Sequence, residues 1–511
     1  MMKKYPCLLG IDIGTTAIKV AASEINGRIL ALSRMSTPAN RIADGMAEQN
    51  AEDLWLSVSS LIRSVTDHLP SIFQVEAVAT ASVGEAGVPI DEQGKPLFPI
   101  IAWYDKRTHE EADWWRREVG EERLYKITGM PIDTFFGANK ILWIRKHYPE
   151  IINKTHCWLS VADFIVRRLC NENVTDYSLA SRTMLFDQLK MTWSQELLDI
   201  ADLDKDIMPE PYASGTRVGE ITKEAAKITG LRQGLPVVLG GHDHLCGAYF
   251  ARLGKDMAVN STGTAEVVVF PVEEYIPRTP TEAGFIPIYA DVVPGRYILS
   301  ARVGYAGQLL EWLRRNILEL DHQDSEENAE SIYKLMIDRI PKPLEYSGLL
   351  CYPTFGRPIT PTWDTTAAQG SFLGLTIDHH IGHIIQAVLE GNSFSLRANI
   401  DAIEKLVGIK IDRLRVEGGI TKNPVWMQLK SDITGRVYEA IQRDETTVIG
   451  AAVLAGVGAG IYKNHREIGE IVSLESIEWH PEKERQKTYD HVYKDLFQRL
   501  PSIFAELYSH L

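Results

Sequence analysis

Asp243 stands in the run LGGHDHLCGA, separated by two residues from the preceding stretch Val237, Val238, Leu239 and Gly240. That order reads as a buried strand emptying into a glycine turn. An acid at such a strand end sits where open α/β sheets keep their ligands. Three other segments complement it. DIGTT puts Asp12 at the end of the apolar run 8–13 and follows it with Gly14, Thr15 and Thr16. The backbone N–H groups and hydroxyls of that turn form a concavity for phosphate oxygens. NSTGT offers the same chemistry again at Ser261, Thr262, Gly263 and Thr264. In EGGITKN, Gly418 and Gly419 let the backbone lie flat against a planar group, and Asn423 can donate and accept at a purine edge.

The chemistry this set implies is phosphoryl transfer from ATP to a hydroxyl. Asp243 would accept the hydroxyl proton, and Asp12 and Asp243 would share Mg²⁺. Taken singly, each turn is also an ordinary hairpin; two of them facing across a cleft could grip successive phosphates. No GxxxxGK[ST] loop is present, which disfavours a P-loop enzyme.

The elements that must position these residues follow from periodicity. Residues 8–13 read as a strand buried on both faces, 18–22 and 29–33 as strands joined at Asn26-Gly27, and 75–81 as another. Between them, Leu54, Trp55, Val58, Leu61, Ile62 and Val65 share one face of a helix over 51–69. The order restarts near Asp256, with strands expected at 257–260, 265–270 and 297–303. Helical segments are expected at 381–390 and 446–459, and a charged tail beyond Tyr462 closes as a helix. Two α/β halves result, 1–253 and 254–511, with the boundary near Leu253-Gly254.

At 511 residues and 45% hydrophobic, the chain can bury a large core. A net charge of −14 argues against nucleic acid and against an anionic membrane surface. The start MMKKYPCLLG is interrupted by Gly10, Asp12 and Gly14 with no cleavage site after it. The five cysteines form no CxxC pair and suit reduced thiols, so a cytoplasmic protein is expected.

Two longer runs resemble a known family. KILWIRKH at 140–147 is similar to the first signature of the FGGY carbohydrate kinases, apart from Gly137 where Pro, Ser or Thr is usual. GSFLGLTIDHHIGHIIQAVLE at 370–390 is similar to the second. The resemblance, over about 8–460, implies two ribonuclease-H-like domains of the actin and Hsp70 type with ATP in the cleft between them. It implies Asp243 as the general base, the turns at Thr15-Thr16 and 261–264 as phosphate holders, and Gly307, Gly418, Gly419 and Asn423 as nucleotide contacts. FGRPITP at 355–361 resembles a further landmark near the cleft.

On the acceptor side, Gly84-Glu85 occupies the place of a Met-His pair in xylulose kinases and an Arg-Glu pair in glycerol kinases. Glu85 would accept sugar hydroxyls; Trp103 would stack on carbon–hydrogen faces, and Asp105 would take hydroxyl donors. His242 and His244 flank the base. HxH could chelate zinc, but no third ligand is evident; contact with the sugar or orientation of the base fits better. DHHIGH at 378–383 reads as a helix start capped by Asp378. The expectation is a kinase of a small sugar or polyol, in a family where a dimer would be usual. The alternatives are an actin- or Hsp70-like ATPase, which needs neither signature, and a sugar-binding regulator that has lost catalysis.

Overall fold

The structure, a computed structural model, describes residues 4–43, 45–252, 257–263, 266–277, 286–303, 306–318, 333–355, 370–472 and 474–508. The expected boundary at Leu253-Gly254, Thr264, and 356–361 of the FGRPITP loop lie outside them.

The first half opens with β1 (Tyr5–Ile13), β2 (Ala17–Glu24) and β3 (Ile29–Ser36), an antiparallel meander whose second turn is Asn26-Gly27. Helix α1 (Ala51–His68) follows. The Asn50 side chain accepts the N–H groups of Glu52 and Asp53, and the six apolar residues read from the sequence form its buried face. Strand β4 (Phe73–Ser82) returns parallel to β1. A helical cap comes next, including α2 (Gly137–His147). Strands β5 (Arg217–Glu220) and β6 (Pro236–His242) then complete a sheet of order β5-β6-β4-β1-β2-β3, with β6 parallel to β4. Asp243 begins α3 (Asp243–Ala251).

The second half repeats this plan. Strands β7 (Ala258–Thr262), β8 (Glu266–Val272), β9 (Ile288–Ala290) and β10 (Tyr297–Val303) are antiparallel, followed by α4 (Ala306–Asn316) and the long α5 (Ile381–Val407). Strands β11 (Arg413–Glu417) and β12 (Val437–Ile441) add in parallel beyond β7 on either side of α6 (Pro424–Thr434), and α7 (Thr446–Gly458) follows. The order is β9-β10-β8-β7-β11-β12, with β13 (Ser476–Trp479) antiparallel at the edge. Each half thus extends an antiparallel unit, of three strands in the first and four in the second, by two parallel strands, the ribonuclease-H-like plan.

Three local expectations need correction. The NSTGT run is not all turn: Asn260, Ser261 and Thr262 finish β7. The tail is not one helix; it supplies β13 and helices His465–Ile471, Lys483–Asp495 and Leu500–Tyr508. The cap of α5 is His380, whose side chain accepts the Gly382 N–H and pairs with His383 in a capping box. Asp378 lies too far upstream to do so. Among the described residues, no helix is long and apolar enough to cross a membrane, and all five cysteines are buried free thiols.

Helix α7 belongs by chain order to the second half but packs on β1, β4 and β6 of the first sheet and along α3. Its residues are small and apolar on all sides, as burial on two faces requires. The approach leaves no room for side chains. A Cβ at Gly450 would lie 2.0 Å from the Cys246 carbonyl oxygen, and one at Gly10 would lie 1.9 Å from that of Val448. Gly450→Ala should therefore lower stability by about 1–3 kcal/mol, the usual cost of overpacking. Gly419→Ala, with open space around its Cβ position, should leave the urea midpoint nearly unchanged. Equal midpoints for the two variants would refute this account of the contact.

Candidate active site

Strands β1, β4 and β6 run parallel and end together. Asp12 and Gly241 both pair with Ala81, and Ile13 and His242 both pair with Ser82. One sheet edge thereby releases three acids: Asp12 from β1, Asp243 after β6, and Glu85 three residues past β4. The Asp243 turn is anchored from below. The His242 N–H donates to Ser178 Oγ at 2.9 Å, and Asp176 Oδ1 accepts from Ser178 and, at 3.0 Å, from Ser214 Oγ.

Asp12 is buried, and burial together with the nearby Asp243 pushes its carboxyl up to about 8; Lys19 pulls the other way. Such a pair asks for a cation, and Asp12 with Asp243 fits a carboxylate site for Mg²⁺. Asp243 Oδ1 receives the His244 N–H at 2.6 Å and lies 3.3 Å from His242 Nε2. Burial, only partly opposed by Asp243, brings His242 down to about 4, so its ring is neutral near pH 7. His242 is placed to orient Asp243, whereas the His244 ring is exposed. Among the described residues, no group of three or more His, Cys, Asp or Glu side chains could hold a metal.

The acceptor-side residues gather at the same edge. Trp103 Nε1–H donates to Thr15 Oγ1 at 2.8 Å, so the expected sugar platform is fastened to the first phosphate turn. A small cavity there is lined by Gly14, Thr15, Gln49, Val83 and Trp103. Thr16 is exposed beside it. Asp105 is differently placed from the expectation. Its side chain is fully buried, and its oxygens accept from the Ala47 N–H (2.7 Å), the Arg107 N–H and Nε (both 2.9 Å) and Arg107 Nη2 (2.8 Å). Arg107 also binds Glu48 at 2.6 Å. Asp105 is thus held as the centre of a clamp behind Trp103.

Glu85 is buried and ion-paired with Arg182. Burial pulls its carboxyl upward, but Arg182, His242 and Lys140 outweigh burial and hold it at about 2. Lys140, in the first signature run, is fully buried, and burial brings it down to about 8 against the pull of Glu85 and Asp105. Arg182 did not stand out in the sequence, and neither did Asp176 or Ser178.

In the second half, Ser261 pairs with Glu417 across β7 and β11, which brings the NSTG and EGG segments together. Gly418 has φ of 97°, and a Cβ there would lie 2.2 Å from the Thr262 carbonyl oxygen, so only glycine fits. The Gly307 N–H, in the first turn of α4, donates to the Gly263 carbonyl at 3.2 Å. Gly419 is exposed and begins a short 3₁₀ turn. The Asn423 amide oxygen caps α6 by accepting the Trp426 N–H at 3.1 Å. Thr262 also departs from expectation. Strand alternation turns it inward with Asn260, toward the fully buried Lys430, whose ammonium reaches Asn260 Oδ1 at 2.7 Å, Thr262 Oγ1 at 3.2 Å and Glu266. The Thr262 hydroxyl therefore braces the strand, and its backbone is what can face a phosphate.

The halves of the site face each other. Glu417 is buried, and burial raises its carboxyl while His244 pulls it down and Asp243 adds to the rise. A Cβ on Gly247 of α3 would lie 2.9 Å from its Oε1. A phosphate turn, a base candidate and a planar glycine loop thus border one cleft.

Comparison with known proteins agrees with this arrangement. The N-terminal domain of the FGGY family of carbohydrate kinases matches residues 7–249, and its C-terminal domain matches residues 258–459. The chain is 30% identical over 512 residues to a glycerol kinase of Thermococcus gammatolerans, covering 98% of each chain. It is 26% identical over 472 residues to a gluconokinase of Bacillus subtilis, covering 91% of this chain and 90% of the other. Among solved structures, a ligand-bound xylulose kinase from Lactobacillus acidophilus superposes with a TM-score of 0.87 at 22% identity, covering 99% of both chains. The two-domain sheet plan, the carboxylates at the strand ends and these matches lead to one conclusion: this chain belongs to the FGGY family of carbohydrate kinases.

Proposed function

We propose that the protein transfers the γ-phosphoryl group of ATP to a hydroxyl of a small sugar or polyol, with Asp243 as the base. One observation carries this reading: Asp12 and Asp243 emerge side by side from parallel strands, with the His242 ring and the His244 N–H both against Asp243 Oδ1. Oδ2 is then the atom that takes the proton. Thr15 with the backbone of 14–16 holds phosphate oxygens from one side, and the backbone of 261–263 from the other. Gly418 and Gly419 border the adenosine. Bound with ATP at Asp12 and Asp243, Mg²⁺ would neutralise charge on the phosphates. Trp103 offers a face to the acceptor and, through Thr15, ties its position to the phosphate turn. Glu85 accepts hydrogen bonds from the acceptor's hydroxyls. A cytoplasmic setting is supported by the five buried free thiols.

Acceptor-dependent ADP release tests the reading. Wild-type protein should release ADP only with a sugar or polyol present; an equal rate without one would favour the ATPase alternative. Asp243→Asn should cut turnover by about 10²–10⁴-fold, the typical worth of a positioned base, with the melting temperature and nucleotide affinity nearly unchanged. Activity within about tenfold of wild type would remove Asp243 from that role.

Asp12→Asn gives a second, independent check. With its carboxyl raised to about 8, folded Asp12 keeps a proton that the unfolded chain releases near pH 4. Stability is therefore lost as pH climbs through that window. In EDTA, the asparagine variant should melt above wild type at pH 8–9, and the difference should shrink toward pH 5. A gap independent of pH would contradict the buried-carboxylate account.

A further inference from the structure

Gly84 leaves a space that the chain fills from elsewhere. A Cβ at position 84 would stand 2.6 Å from Arg182 Cγ and 2.9 Å from His242 Cδ2, so the stem of Arg182 lies directly over the glycine. Its head turns to Glu85, with Nε donating to Oε1 at 2.8 Å and Nη2 to the same oxygen. The guanidinium is seated among three rings, 5.1 Å from the centroid of Phe136, 5.8 Å from Phe135 and 5.3 Å from Tyr289. Tyr289 lies on β9, so the second half helps to hold it.

This pair is charge-neutral as a unit, and the guanidinium of Arg302 lies against Trp103, 5.6 Å from its ring centroid. Arg182 and Glu85 cancel each other. The ammonium of Lys140, the other fixed cation near Glu85, is buried and donates to the Phe135 carbonyl. Asp12 near the end of β1 and Asp243 at the start of α3 lie on the phosphate side. A sugar acid would bring its carboxylate toward Glu85 and Asp243, while both cations that act on Glu85 are already committed. A neutral polyol would meet an acceptor and a donor fixed side by side, the arrangement that charge-assisted hydrogen bonds to hydroxyls require.

We propose that Arg182 is the specificity-determining residue of the acceptor pocket: occupying the space over Gly84, it fixes Glu85 through Oε1 and makes the pocket one for uncharged polyhydroxyl acceptors rather than sugar acids. The proposal rests on the kinase reading above. ADP release at saturating Mg-ATP would be followed with small polyols and ketoses and with aldonates of the same chain lengths. The best neutral acceptor should exceed the best aldonate by about 100-fold or more in kcat/KM. An aldonate as good or better would overturn the proposal and leave the kinase reading standing; turnover of no acceptor would overturn both.

With the best acceptor, Arg182→Gln should raise its KM by about 10- to 100-fold, with the KM for ATP unchanged. Arg182→Lys, which keeps charge without the fork, should fall between. Gly84→Ala alters no charge but displaces the Arg182 stem, so it should raise the same KM, and in an Arg182→Ala background, where only the contact with His242 remains, it should add clearly less than in the wild-type background. Additive effects of the two positions, or a change confined to ATP, would refute the assignment. Urea midpoints measured alongside identify any variant that has merely lost its fold, and Arg182→Lys remains as the mildest test.

Discussion

The geometry of this enzyme depends on how closely helix α7 lies against α3 and β1. At Gly450 and Gly10 the contact is backbone on backbone, with no side chain between. α3 carries Asp243 at its first residue, β1 carries Asp12 near its last, and α7 begins just after the segment that brings Glu445 to Lys19 at 2.6 Å. The depth of this packing therefore fixes how far Asp243, the proposed base, lies from Glu417 and the segment 261–263. Packed interiors deform little, so a displacement here would be transmitted to the carboxylates rather than absorbed.

Around that contact the chain keeps several charged groups out of water, each answered differently. Glu85 has an arginine, Asp105 a bidentate arginine with a backbone N–H, and Lys430 a glutamate with two neutral acceptors. Asp12 is instead left beside a second acid, Asp243. The contrast separates groups that hold the site from the group that waits for a ligand: satisfied pairs stabilise position, and an unsatisfied one stores electrostatic energy for binding.

What was legible in the sequence was local. The strand runs 8–13 and 237–240, the Asn26-Gly27 turn, the six-residue face of α1 and the glycine pair after β11 all depend on neighbours within a few residues, and period and turn chemistry report those directly. Thr262 was within reach, since alternation from Asn260 already points it inward. Asp105 was too, because Arg107 stands two residues on. Lys430 left a fainter trace, a lysine on the helical face shared by Trp426, Met427 and Ile433. Arg182 left none. Its partner is 97 positions away, and only the folded cap lays its stem over Gly84. The tail strand β13 was hidden for a related reason: SIEW is too short and too polar to declare itself, and it exists because β12 offers an open edge.

Lys430 and Glu266, both without solvent exposure beneath the second phosphate segment, carry a consequence for how this protein can change over generations. Losing either one strands a buried charge, at about 3–5 kcal/mol, whereas replacing both by apolar residues of similar volume is often neutral or stabilising. The path from an ionic floor to an oily one therefore crosses a valley when taken one substitution at a time. Descendants of this chain should keep both residues or lose both, and the floor under the phosphates should change in a single paired step.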